Sequence, residues 1–182
     1  MNELRQNNPN SLSRHERLFL YNQYKILEAL YPGEAEYYSV KREALEYGYE
    51  IEYDLDTMEF ISKEVMTREE SIEVWDTFDM FDSFKISAEK GKFTDWLSKQ
   101  HPSSFAGYDG NNETKFWLFA RFTIQRLKRF EYLELSKQPD PFNSPIRMRD
   151  TYKRMLDKWK PLGFSKWQSL TQEDIKLILL KD

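Results

Sequence analysis

The sequence has no cysteine and only two histidines among its 182 residues. Without cysteine the chain cannot form disulfides, use a thiol nucleophile or build a Cys-rich zinc site. Neither His15 nor His101 stands in a metal-binding spacing, and the sequence contains no P-loop, Rossmann glycine motif or Gly-x-Ser-x-Gly elbow. We therefore expect no metal and no cofactor, and the balance is against an enzyme.

Long hydrophobic runs are missing as well. No stretch approaches the ~18 consecutive apolar residues of a membrane span, and the start, MNELRQNNPNSLSRHE, lacks the apolar core of a signal peptide. We expect a cytoplasmic protein with no membrane partner. Because the length is that of one domain, about 100–200 residues, we predict a mobile tail over residues 1–12 and a single domain over residues 13–182.

Helical periodicity is what the sequence has in abundance. Capping boxes begin at Ser13 and Thr67, where a hydroxyl and an acidic side chain three residues later satisfy the free amides of a helix start. Thr171 and the residues after it start the last short helix. The apolar spacing predicts helices over residues 14–31, 34–47, 68–88, 114–136, 147–160 and 175–180. The sequence thus predicts an all-α fold, a bundle of about six to eight helices around the long central helix of residues 114–136.

One stretch conflicts with this helical pattern. In residues 49–55 aromatic and aliphatic residues alternate with acidic ones, which is the period of a strand. Its neighbours on both sides are predicted helices. Residues 49–55 stay open between one short β element and an irregular helix.

Charge is distributed unevenly along the chain. Residues 1–91 hold 10 basic and 20 acidic residues, and residues 92–182 hold 17 and 11, so the halves carry −10 and +6. This split could steer a nucleic acid to the second half, or hold the halves to each other or to a second copy. We favour the second interpretation, because nucleic-acid binders usually have a basic domain overall. The third helix is predicted to carry a solvated acidic face: Glu69, Glu73, Asp76, Asp79 and Asp82.

The segment FAGYDGNNE, residues 105–113, contains the densest group of polar side chains. Asp109 and the asparagines after it fit a helix start, whose positive end favours such groups. A calcium loop does not fit, because its glycine and final glutamate positions hold Thr114 and Ala120. Glu113 falls on the apolar arc of the next helix, where a buried carboxylate needs a partner. Both a structural bond and a ligand contact stay open for Glu113.

The first helix carries a comparable feature. Gln23 lies near the centre of an apolar arc, and Asn22 lies at its edge. A glutamine inside a core must bond its donors and its acceptor to neighbours. A structural bond to backbone and a contact to a ligand remain the two alternatives.

Four motifs occur in the order seen in the YfbU-like family of small bacterial proteins: RLFLYNQYKILEAL, EYGYEIE, FAGYDGNNE and YKRMLDKWK. On them the sequence is identified as a member from about Ser13 to Leu180. The resemblance implies an all-helical fold and little chemistry. Some relatives carry the domain behind a DNA-binding segment, which implies a ligand-sensing or partner-binding role. The family's polar signature falls on Asn22, Gln23, Tyr24, Lys25, Gly107, Tyr108, Asp109 and Glu113.

Together these observations predict a ligand-sensing or protein-interaction module, regulatory in role, that associates with itself as a homo-oligomer. A small molecule or a protein is the expected partner. The alternative is a nucleic-acid-associated regulator that uses the basic second half, and an enzyme is the third option. The candidate ligand-binding residues are Asn22, Gln23, Tyr108, Asp109 and Glu113.

Overall fold

The computed structural model describes residues 12–52, 64–135, 138–166 and 169–180. Within them the chain forms α1 (Arg14–Leu30), a 3-10 turn (Pro32–Glu34), α2 (Ala35–Tyr47), α3 (Arg68–Gly91), α4 (Thr94–Leu97), α5 (Thr114–Gln125), α6 (Arg149–Lys166) and α7 (Gln172–Leu179). The described residues form no strand, so the all-α prediction is confirmed. The predicted tail lies, except for its last residue, outside the described residues.

The chain divides into two compact units, residues 1–63 and 64–182, which we call the N-terminal unit and the C-terminal unit. In the N-terminal unit α1 and α2 pack together as a helical hairpin. The predicted capping box at Ser13 begins α1. Arg17 donates to the carbonyl oxygen of Leu45 at 2.9 Å, which places a cation at the negative end of α2. Gly48, with φ of 75°, ends α2 in the left-handed conformation.

The start of the ambiguous stretch is helical. Residues 50–52 are helical, and the amide of Glu52 donates to the carbonyl oxygen of Tyr49 at 3.0 Å. The short β element is therefore not formed there. Residues 53–55 lie outside the described residues.

The centre of the C-terminal unit is α3, which contacts α4, α5 and α6. This 24-residue helix begins at the predicted capping box of Thr67 and buries an aromatic face. The rings of Phe78 and Phe105 meet edge to face at 5.0 Å, and those of Phe81 and Tyr152 at 5.6 Å. Such edge contacts are the favoured packing of aromatic rings.

The predicted central helix over residues 114–136 is wrong in length. Helix α5 ends at Gln125, and Lys128 and Phe130 adopt positive φ angles of 55° and 57°. This turn brings the Phe130 ring within 5.2 Å of the Phe78 ring and buries Leu133. Burial of these apolar side chains outweighs the helix propensity of the segment.

Helix α6 differs from its prediction at both ends. It begins at Arg149 and continues through Pro161 to Lys166, whereas the sequence predicted a helix from 147 to 160 that proline would end. Pro161 has no amide to donate to the carbonyl oxygen of Asp157. The inner face of α6 buries Tyr152, Met155 and Trp159, as the predicted apolar stripe requires.

Candidate functional site

The segment 105–113 lies between α4 and α5 and is held by the chain around residue 142. The amide of Tyr108 donates to the carbonyl oxygen of Phe142 at 2.8 Å. The amide of Ser144 donates to the carbonyl oxygen of Tyr108 at 2.9 Å. Gly107 has φ of 88°, and a Cβ there would lie 2.4 Å from the Phe142 carbonyl oxygen. Only glycine fits this approach.

Asp109 closes the turn that precedes α5. It accepts from the amides of Asn111 at 2.9 Å and Asn112 at 3.2 Å, and from the Asn112 side chain at 2.6 Å. The side-chain bond from Asn112, followed by the amide of Asn111, lowers the pKa of Asp109. The predicted helix-start role of Asp109 agrees with this geometry.

Glu113 is buried, as its place on the apolar arc predicts, and its carboxylate is fully engaged by backbone amides. One oxygen accepts from the amides of Asp109 at 2.9 Å and Met148 at 3.0 Å. The other accepts from the amide of Arg149 at 2.8 Å. Since Arg149 begins α6, Glu113 satisfies amides at that helix start from across the fold. This geometry favours the structural alternative for Glu113.

Tyr108 lies in the aromatic core beside this clamp. Its ring stands edge-on to that of Tyr152 at 5.4 Å, and burial raises the pKa of its hydroxyl. The Tyr152 hydroxyl accepts from the amide of Ala106 at 3.0 Å and donates to the carbonyl oxygen of Gly107 at 3.1 Å. The structure thus brings Tyr108, Asp109 and Glu113 together as a clamp that fixes α5 and α6.

The other two candidate residues belong to the N-terminal unit. Asn22 and Gln23 are exposed on α1. Gln23 is exposed between the partly buried and the exposed apolar side chains of α1, so the expectation of a glutamine inside a core does not hold.

The predicted solvated acidic face of α3 holds at Glu69, which is exposed, and is wrong at the other four residues, which are ion-paired or at least half-buried. Lys115 pairs with Glu70 at 2.6 Å, and Lys160 pairs with Asp76 at 2.7 Å. Arg149 binds Glu73 through two bonds of 2.8 and 3.1 Å. Cations of the basic half thus meet carboxylates of the acidic half inside one unit, one of the alternatives that the charge split allowed.

Two carboxylates of α3 are not paired in this way. Burial, followed by repulsion from Asp76 and Asp82, raises the pKa of Asp79 to about 6. Asp82 is 6% exposed and lines a cavity of about 380 Å³. The sequence pattern assigned both residues to the solvated face, whereas the burial of Phe78, Met80, Phe81 and Phe84 beside them shows that this part of the helix is enclosed.

The described part of the chain contains no group of three or more His, Cys, Asp or Glu side chains that could hold a metal ion. None of the described helices is long and apolar enough to cross a membrane.

The amino-acid sequence is similar to those of several known proteins. The sequence model of a family described as the YfbU domain matches residues 10–180. A UPF0304 protein of Methanocaldococcus jannaschii is 37% identical over 170 residues, 92% of this chain and 98% of the relative. UPF0304 proteins of Mannheimia succiniciproducens and Actinobacillus succinogenes are 30% and 29% identical over 149 and 170 residues, covering 80% and 90% of this chain and 85% and 95% of theirs.

Proposed function

The chain belongs to the YfbU family, and we propose that it acts as a protein-interaction module that associates with itself through the α1–α2 hairpin. The observation that carries this proposal is the apolar stripe on the outer side of α1.

Helix α1 has two apolar faces. Leu20, Tyr21, Tyr24 and Leu27 are partly buried and share one arc of the helix. On another arc Phe19, Ile26 and Leu30 are exposed by 64%, 53% and 65%. A helix that needs only one neighbour has one apolar stripe. The second stripe of α1 therefore indicates a second partner.

Helix α2 also carries an exposed apolar face. Tyr37, Val40 and Tyr47 are exposed by 48%, 52% and 65% and share a face with Ala44. Ala44 and Leu45 are the only buried apolar residues in the described part of the N-terminal unit. Exposed apolar area of this extent marks an interaction surface.

A second copy of the hairpin is the partner that this surface fits. Two helices cannot enclose a core, whereas two hairpins related by a twofold axis form a four-helix bundle in which each stripe meets its equivalent. Gln23 and Asn22 lie beside the outer stripe of α1. A polar side chain in such a seam sets the register and the oligomer state, which gives these two candidate residues a role in pairing.

Self-association is preferred to nucleic-acid binding because three cations of the second half are engaged within the chain. Lys115, Arg149 and Lys160 are ion-paired to α3. Such pairs would have to break before these cations could neutralise phosphates.

Light scattering after size exclusion tests the proposal. The 22.1 kDa chain should elute with at least twice that mass, and Phe19→Glu with Ile26→Glu should give the monomer mass with the helical circular dichroism retained. Lys25→Glu introduces a glutamate at an exposed position about 120° round the helix from the stripe and should leave the oligomer intact.

Two results would oppose self-association through this stripe. One is a monomeric wild-type protein. The other is an oligomer that survives the paired substitutions in the stripe.

A further inference from the structure

A cavity of about 380 Å³ opens on the surface of the C-terminal unit. Helices α3 and α4 form two of its walls, and residues 103–104 and 133–134 form the others. Phe81, Ala88, Leu97 and Leu133 supply apolar surface that is itself buried. The cavity has the volume of a small-metabolite site.

Asp82 is the most deeply placed charge in this cavity. It is 6% exposed, and within the described part of the chain no hydrogen-bond donor or cation lies within bonding distance of its carboxylate. Its oxygens are open to the cavity and are not among the fully buried atoms without a hydrogen bond. A cation placed beside a carboxylate so shielded from bulk water is favourable. Burial raises the pKa of Asp82, and the charge of Lys85 opposes that shift only in part.

The charges at the mouth have the same sign as Asp82. Glu89 and Glu134 line the cavity at exposed positions, and Lys85 is the one cation among the lining residues that the structure describes. With Asp82 ionised these described residues carry three negative charges and one positive charge. The hydroxyls of Ser98, Ser103 and Ser104 add neutral groups that donate and accept hydrogen bonds. The potential in the cavity therefore favours a cation.

We propose that this cavity binds a small organic cation that carries a primary ammonium group, with Asp82 as its counter-ion. An ammonium group offers three hydrogen-bond donors to the carboxylate of Asp82, which receives no bond from the described residues. A bare metal ion fits less well, since the described residues contain no cluster of three ligands. A second ammonium group, at the far end of a short chain, would lie near the carboxylates of the mouth.

The choice of cation follows from the lining. An anion would place its charge beside three carboxylates, and an apolar molecule would leave Asp82 buried and unpaired. A diamine of four carbons satisfies the deep carboxylate and one carboxylate of the mouth together. Its methylene groups would cover the apolar surface supplied by Phe81 and Leu97.

Isothermal titration calorimetry with putrescine tests this site, and butanediol of the same chain length serves as the uncharged control. Wild-type protein should bind putrescine and give no heat with butanediol. Asp82→Asn keeps the shape of the side chain and removes its charge, and it should weaken putrescine binding by at least about tenfold. The matched control is Glu69→Gln, an exposed position of α3 outside the cavity, which should leave the affinity unchanged.

Thermal unfolding without ligand separates a site from a structural role. Loss of an unpartnered buried charge should leave the melting temperature of Asp82→Asn equal to or above that of the wild type, whereas loss of a structural ion pair would lower it. The proposal is wrong if putrescine gives no binding heat with the wild-type protein. It is also wrong if Asp82→Asn binds putrescine as tightly as the wild type, or if butanediol binds equally well.

Discussion

The two units of this chain differ in how deeply their aromatic residues are buried. In the C-terminal unit Phe78, Phe105, Tyr108 and Tyr152 are fully buried and meet ring to ring. In the N-terminal unit α1 has no buried residue at all. Both units have regular capped helices, so local helix signals do not distinguish them. The difference lies in whether the apolar faces find partners within the unit.

This difference shows that amphipathic periodicity predicts an apolar face of a helix but does not predict which segment or partner packs against it. The stripe of α3 is covered by its own unit, because α5, α6 and the segment 105–113 return to it. The outer stripe of α1 is exposed. The stability of the C-terminal unit should then be a property of its own core, whereas that of the hairpin should depend on association.

The two truncations Phe78→Ala and Phe19→Ala test this difference between the units most strongly. Phe78 is fully buried, so its truncation should lower the free energy of unfolding by about 3–5 kcal/mol. Phe19 is exposed, and its truncation should matter only through association. All five tryptophans lie between residues 75 and 167, so tryptophan fluorescence during urea unfolding reports the C-terminal unit.

Protein concentration provides the control for this pair. The effect of Phe78→Ala should be the same at every concentration, whereas that of Phe19→Ala on the helical signal should shrink on dilution as the oligomer dissociates. Equal losses for the two variants at all concentrations would contradict the contrast between the units.

Glu113→Gln tests how far the C-terminal unit depends on a polar clamp as well as on its core. The glutamine keeps the shape but loses the charge. Only its carbonyl oxygen accepts hydrogen bonds, so the bonds from the amides of Asp109, Met148 and Arg149 cannot all be kept. The free energy of unfolding should fall by roughly 2 kcal/mol, because hydrogen bonds to a charged group are lost in the interior.

Urea unfolding followed by tryptophan fluorescence measures this loss, with Glu69→Gln, exposed on α3, as the neutral control. If both variants unfold at the wild-type urea concentration, Glu113 does not hold α6, and the ligand-contact alternative for this residue gains support.

Sequence reasoning succeeded where a structure is decided by neighbours along the chain. The capping boxes predicted at Ser13 and Thr67 both begin helices, because hydroxyl, amide and carboxylate lie within four residues of each other. The inward direction of Glu113 was also predictable, since it follows from helical periodicity. Its partners at residues 148 and 149 were not, because no local pattern connects positions 35 residues apart.

The failures share a cause. Residues 126–135 have helix propensity throughout, yet Phe130 and Leu133 leave the helix to reach a core assembled from distant segments. The apolar arc around Gln23 was assigned to a core because periodicity cannot tell a covered stripe from an exposed one. Asp82 was assigned to solvent because a carboxylate in an apolar cavity has the same sequence pattern as one on a surface.

The smallest effect concerns pH, and it belongs to the C-terminal unit because Asp79 sits in its central helix. Its pKa is about 6 in the folded chain and about 3.9 in an unfolded one. Between those values the folded state binds more protons, so the free energy of unfolding decreases as pH rises from about 4 to 6 and stays lower above.

Asp79→Asn should remove this decrease. At pH 7 it should be more stable than the wild type by about 1 kcal/mol, a value reduced from the full shift because the side chain is partly exposed, and at pH 4 the two should be equal. Urea unfolding at both pH values measures the difference, and Glu43→Gln, exposed on α2, should show none. A variant that gains stability equally at pH 4 and 7 would mean that a contact of the asparagine, rather than the titration of Asp79, is responsible.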